Sequence, residues 1–266
     1  MSDGFSTVTS ADGTVIAYER HGQGPAVVFV DGALSVRGGK AGLDELLAPQ
    51  FTVFRYDRRG RGDSGDTLPY APEREVGDLA AVIGEAGGTA ALYGHSSGCA
   101  LVLDAAIALG PTAVPKIALY EAPYKDDPAD QARWDSYLAD LADALRENRR
   151  GDAVARFMTH VGMPAGQLAQ TRQSPWFPAL EAIAPTLAYD HAGLLGPSTA
   201  VPVDKAAKIT VPALVLYGSV SPPFMGATAH TLSETIPHAE LREVEGQDHN
   251  VAPVALAPIL GTFLAG

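Results

Sequence analysis

One cysteine in 266 residues, Cys99, leaves no partner for an intrachain disulfide and too few thiolates for a metal cluster. Basic residues are scarce as well. Nineteen Lys and Arg stand against 31 Asp and Glu, a formal net charge of −12, which argues against nucleic acid or an anionic membrane as partner. No apolar run approaches the ~20 residues of a membrane span, although apolar residues make up 46% of the chain. The start, Met1-Ser2-Asp3-Gly4, has no basic stretch followed by an apolar core, so no secretory leader is expected and a cytoplasmic location is. Motifs that would announce a cofactor are missing: there is no phosphate-binding loop, no G-x-G-x-x-G dinucleotide fingerprint and no H-E-x-x-H metal helix. A metal-free, cofactor-free protein acting on a small molecule is the expectation, with oligomeric state left open.

What is present centres on Gly94-His95-Ser96-Ser97-Gly98. The short apolar run Ala90-Ala91-Leu92-Tyr93 before it reads as a buried strand, and the Ala/Leu-rich stretch from Cys99 to Ile107 as a helix. Strand, G-x-S-x-G and helix together form a nucleophile-elbow pattern. A sharp turn forces Ser96 into a strained backbone and leaves its hydroxyl standing above a helix N-terminus, where developing negative charge is favoured.

Around that turn the chain alternates strands and helices. Residues 7–9 and 14–20, joined by Ala11-Asp12-Gly13, read as a hairpin. Strands are expected at Ala26–Val30, Thr52–Tyr56, Lys116–Glu121, Ala213–Gly218 and Glu240–Val244, with helices over about Glu73–Ala86 and Val251–Leu264. This order implies a mostly parallel sheet covered on both faces. From 122 to 207 strand signals vanish. Only helical stretches remain (Ala129–Asn148, Asp152–Val161, Pro178–Asp190), broken by Gly162, Pro164, Pro175 and Pro185. Such a length is too great for a connection, so it is read as a helical subdomain inserted into a core of residues 1–121 and 208–266.

Four signatures in order make the chain resemble the α/β-hydrolase fold nearly from end to end. They are the turn Asp31-Gly32-Ala33, the loop Asp57-Arg58-Arg59-Gly60-Arg61-Gly62-Asp63-Ser64, the elbow at Ser96, and a late histidine in Gly246-Gln247-Asp248-His249-Asn250. The resemblance implies an eight-stranded, mostly parallel sheet flanked by helices, with 122–207 as a cap over the elbow. It also implies a serine hydrolase working through a catalytic triad on an ester, thioester or lactone of a medium-sized apolar molecule, by hydrolysis or cyclisation. The fold alone does not fix the reaction.

Ser96 is the expected nucleophile, and a serine needs a base. Of seven histidines, His249 stands where the family places it, after a strand and before the last helix. The usual acid after the strand at 213–218 is missing: that loop reads Gly218-Ser219-Val220-Ser221-Pro222-Pro223, with Ser221 in the acid's place. Glu121 ends the strand that follows the elbow helix, a position used for the acid by a branch of the haloalkane dehalogenases, and is the expected triad acid, with Asp248 as the alternative. A serine nucleophile disfavours the dehalogenase and epoxide-hydrolase reactions themselves. The backbone N–H groups of Ala33 and Ser97 are the expected oxyanion hole. Asp31 replaces the family's usual histidine beside the hole, so it should point away or be paired, with Arg37, Arg55 or Arg58 within reach. Trp134, Trp176 and Phe224 are candidate substrate contacts. The acid-less 218–223 loop and Asp31 also motivate a rival reading: a lyase or cyclase using His249 as base, or a small-molecule binding protein.

Overall fold

The computed structural model describes residues 4–38 and 42–266; Met1–Asp3, read above for a leader, lie outside them. Eight strands form one sheet: β1 (Ser6–Thr9), β2 (Val15–Gly22), β3 (Ala26–Val30), β4 (Thr52–Tyr56), β5 (Ala91–His95), β6 (Ile117–Tyr120), β7 (Ala213–Gly218) and β8 (Ala239–Val244). Their spatial order is β1-β2-β4-β3-β5-β6-β7-β8. β1 and β2 run antiparallel to their neighbours, and every pairing from β4 to β8 is parallel.

The central strands are apolar runs because both faces are covered. On one face Val28, Val30, Leu92, Ile117, Leu119 and Val215 pack under α2 (Pro72–Glu85), α3 (Gly98–Ala113) and α9 (Pro223–Thr235). On the other, Val27, Phe29, Tyr93, Ala118, Tyr120 and Leu216 pack against α1 (Leu43–Leu47) and α10 (Pro253–Ala265). Neighbouring residues of one strand thus feed two separate cores, as the two-residue period of a strand requires. After β3 the chain moves outward to β4, then returns to the other side of β3 as β5. This reversal opens a crevice at the carboxyl ends of β3 and β5, the place where open α/β sheets gather their chemistry.

Between β6 and β7 the described residues form helices and no strand: α4 (Pro128–Arg146), α5 (Arg150–His160), α6 (Ala165–Thr171), α7 (Phe177–Ile183) and α8 (Val203–Ala206). It has its own apolar cluster, built on Trp134, Tyr137, Leu141, Val154, Met158 and Phe177, and Ala33 and Leu34 of the turn after β3 pack against that cluster. The helix expected over Pro178–Asp190 is divided. Proline cannot continue a helical ladder, and at Pro185 α7 gives way to a 3₁₀ turn, followed by a π-helical segment over Tyr189–Leu195. α1, α6, α8 and α9 were not expected from the sequence. Among the described residues no helix is long and apolar enough to cross a membrane.

Candidate active site

Ser96 occupies the turn between β5 and α3 with φ at 56°, in the left-handed region that a non-glycine residue enters only under constraint. Close packing supplies the constraint. A Cβ added at Gly98 would lie 2.1 Å from Val30 O, so only glycine lets α3 start this close to β3. Gly32 is pressed against Ser96 itself: a Cβ there would fall 2.9 Å from Ser96 Cβ and 3.4 Å from Ser96 Oγ. The turn after β3 therefore lies directly on the serine. Ser97 is 1% exposed. Among the described residues its N–H and that of Ala33 have no hydrogen-bond acceptor in the protein. Two unsatisfied donors beside a partly exposed serine hydroxyl are what a developing oxyanion needs.

Glu121 follows β6 directly, also with positive φ (52°), and is 1% exposed. Its Oε2 lies 2.7 Å from His249 Nδ1. Its Oε1 accepts from the Gly218 N–H at 2.9 Å and from the Ser221 hydroxyl. Burial alone would raise this carboxyl, but the hydrogen bonds from His249, Ser221 and Gly218 outweigh it and hold Glu121 below the usual glutamate value. Glu121 is thus an anion at neutral pH, oriented by three donors. Ser221, which stands where an acid was missing, uses its hydroxyl to hold the acid of the neighbouring strand. Asp248 does something else: it is exposed, and its carboxylate accepts from the Asn250 N–H at 2.8 Å, a local turn contact.

The loop carrying His249 is anchored from below by residues that sequence reasoning passed over. The Tyr120 hydroxyl donates to Asp248 O at 2.6 Å, and His95 Nε2 donates to His249 O at 2.9 Å. The His95 ring stacks on Tyr120, centroids 5.8 Å apart, and lies tilted against the His249 ring, centroids 4.7 Å apart. Two further histidines belong to the helical insertion: His160 stacks on Tyr137 and His191 meets the same ring edge-on, and burial lowers His191 to about 4.

Beneath the crevice lies a buried ionic cluster. Arg58 forms a two-pronged pair with Glu75 at 2.7 Å and donates to Asp190 Oδ1 at 2.7 Å and to Asp31 O at 3.2 Å. Arg61 donates to Gly32 O at 2.9 Å and to Asp190 Oδ2. Asp190, fully buried in the π-helical segment, also accepts from the Ser97 hydroxyl at 2.9 Å. Burial pushes its carboxyl up, but Arg58 and Arg61 overcome this and hold it at about 2. Asp31 is paired: its carboxylate lies 3.6 Å from Arg55, while Arg37 serves Asp57, Glu19 and Asp63 instead. The excess of arginine in Asp57-Arg58-Arg59-Gly60-Arg61 was the available signal for this cluster. Nothing in the sequence showed that its carboxylate partner lies about 130 residues further on.

The three candidate substrate contacts are not brought together. Trp134 is buried in the core of the insertion, its indole N–H donating to Gly196 O at 3.0 Å. Trp176 is 51% exposed at the start of α7. Phe224 lies in the first turn of α9 with the Lys125 ammonium 4.2 Å above its ring. Cys99, in the first turn of α3, is fully buried, its thiol donating to Gly94 O at 3.3 Å and pushed far above its ordinary pKa by burial.

Comparison with known proteins agrees with this architecture. A profile of the alpha/beta hydrolase family matches residues 21–258. The crystal structure of an alpha/beta hydrolase from Sphaerobacter thermophilus is 49% identical, covers 97% of this chain and 100% of its own, and superposes with a TM-score of 0.85. An esterase from a Rhodococcus species shares the fold at 21% identity, covering 99% of each chain with a TM-score of 0.71. So does the enol-lactonase from Burkholderia xenovorans, at 22% identity over 98% of this chain and 100% of its own, with a TM-score of 0.70. The chain belongs to the alpha/beta hydrolase family.

Proposed function

We propose that this protein is a cofactor-independent serine hydrolase that cleaves a carboxylic ester, thioester or lactone through an acyl-enzyme. The observation that carries the reading is the Glu121 Oε2 to His249 Nδ1 contact of 2.7 Å at the crevice that holds Ser96. With its Nδ1–H committed to Glu121, His249 presents Nε2 as the base. Ser96 Oγ attacks the carbonyl carbon as its proton passes to His249 Nε2, and the carbonyl oxygen takes the negative charge facing the Ala33 and Ser97 N–H groups. Collapse expels the alcohol or thiol, which receives the proton from His249. Water then repeats the sequence on the acyl-enzyme and frees Ser96. Glu121 stays ionised throughout and stabilises the imidazolium. The apolar helical insertion acts as a cap and favours a medium-sized, largely apolar acyl group.

A short-chain aryl ester and a fluorophosphonate probe test this together. Wild type is expected to turn over the ester and to take one phosphonyl group at Ser96. Ser96→Ala is expected to lose labelling and at least ~10³-fold in kcat/KM, and Glu121→Gln roughly 10²- to 10⁴-fold while still folding. Ester hydrolysis surviving in Ser96→Ala, or an inert and unlabelled wild type, overturns the reading in favour of a lyase, cyclase or binding protein.

A further inference from the structure

From the ionic cluster we infer that Asp190, supplied by the helical insertion, is a positioning residue for the oxyanion hole, aiming both backbone donors through Ser97, Arg61 and Arg58. This rests on the serine-hydrolase reading above and adds the device that holds its transition-state donors in place.

The first donor is fixed from the far side of its own peptide. In a trans peptide the C=O and the following N–H point in opposite directions. Arg61 holds Gly32 C=O at 2.9 Å, so the Ala33 N–H is turned the other way, and Gly32 itself rests against Ser96. Arg58 does the same for Asp31 C=O at 3.2 Å, fixing the preceding plane. A flip of either plane would have to break a hydrogen bond to a buried guanidinium.

The second donor belongs to Ser97. Serine at a helix start ordinarily turns its hydroxyl back onto the N–H groups of the first turn. Here it does not: Ser97 precedes α3 with helical backbone angles and makes no capping bond, and its hydroxyl reaches Asp190 instead. The residue whose N–H faces the reacting oxygen is therefore tied by its side chain to the same carboxylate that holds Arg61 and Arg58.

Charge makes the arrangement all-or-none. Arg58 and Arg61 are balanced by Asp190 and Glu75, all four buried. Removing the Asp190 charge leaves one guanidinium in excess in a medium that tolerates none unpaired. Arg61 would then move toward another acceptor, releasing Gly32 C=O, and Ser97 would regain its rotamer freedom. Because Asp190 comes from the insertion while the donors come from β3 and β5, the hole is fully aimed only when that segment is seated on the elbow.

The test is kinetic and uses a probe of the tetrahedral state. Asp190→Asn keeps size and removes charge; Ser97→Ala removes one hydroxyl and no charge. In Asp190→Asn we expect kcat to fall about 10- to 100-fold with KM within about threefold, since loss of a whole oxyanion donor costs roughly 10²–10³. A boronic acid that forms a tetrahedral adduct with serine should lose affinity by the same factor. Ser97→Ala should show the same pattern at a smaller size, and it alone decides if Asp190→Asn does not fold. A merely structural role predicts lowered thermal stability with unchanged kcat and unchanged boronate affinity, and that result in the folded variants overturns the inference while Ser96→Ala stays inactive. A loss confined to KM overturns it too. A wild type that neither hydrolyses esters nor labels at Ser96 overturns the hydrolase reading first, and the positioning role with it.

Discussion

Glu121 shows how one carboxyl is kept ionised while buried. Three donors offset its desolvation, and one of them, the Ser221 hydroxyl, can be removed without disturbing the backbone. The sign of the effect follows from linkage. Glu121 lies below the ordinary glutamate value of 4.5 in the folded state, so the stability it contributes is present above pH ~4.5 and lost as pH falls through its lowered value. Ser221→Ala weakens that depression. Urea denaturation should find the variant less stable by about 1–2 kcal/mol at pH 7, with the gap narrowing at pH 3. At this scale the sequence was partly legible. Ser96 and His249 were marked by motif and position, and Glu121 by the missing acid in 218–223 together with its place at a strand end. His95, Tyr120 and Asp190 were not marked, because their work is to hold a backbone carbonyl or a guanidinium contributed by a distant segment. Only the three-dimensional juxtaposition gives them a role.

Among the elements, α2 is held by buried salt bridges as well as by its apolar face. Arg59, fully buried, grips both carboxylate oxygens of Asp78 at 2.7 and 2.8 Å, while Arg58 grips Glu75 one turn earlier. Breaking one partner of such a pair strands the other charge in the interior. Arg59→Met should therefore cost about 3–5 kcal/mol in chemical denaturation, more than the loss of any single exposed pair in the insertion, such as Arg146 with Asp143. The strands were legible because β3, β5, β6 and β7 are short apolar runs bounded by turn residues and buried on both faces. The insertion was legible as helical but not in its divisions. Pro185 was visible as a breaker; the π-helical segment beyond it, which carries Asp190 inward, has no sequence signature separate from that of an ordinary helix. α9 went unread because Pro222-Pro223 looked like loop, although proline in the first turn is a normal way to start a helix.

For the molecule as a whole, a net charge of −12 surrounds a site whose own charges are internally paired. A neutral ester should bind with little dependence on ionic strength, whereas an ester of matched size bearing a carboxylate should approach more slowly and gain kcat/KM as salt rises from about 0.01 to 0.15 M. Comparing the two salt profiles checks this, and equal slopes would contradict it. The single thiol has a use of the same global kind. Cys99 sits three residues past Ser96, at the start of α3 and sealed from solvent, so a thiol reagent can reach it only when α3 lifts away from β5 and β6. The chain thus carries its own clock for opening of the elbow: the labelling rate of native protein, followed against temperature or a bound inhibitor, should read out how often the turn at Ser96 comes apart. An inhibitor seated on Ser96 should slow it, with no probe added to the sequence.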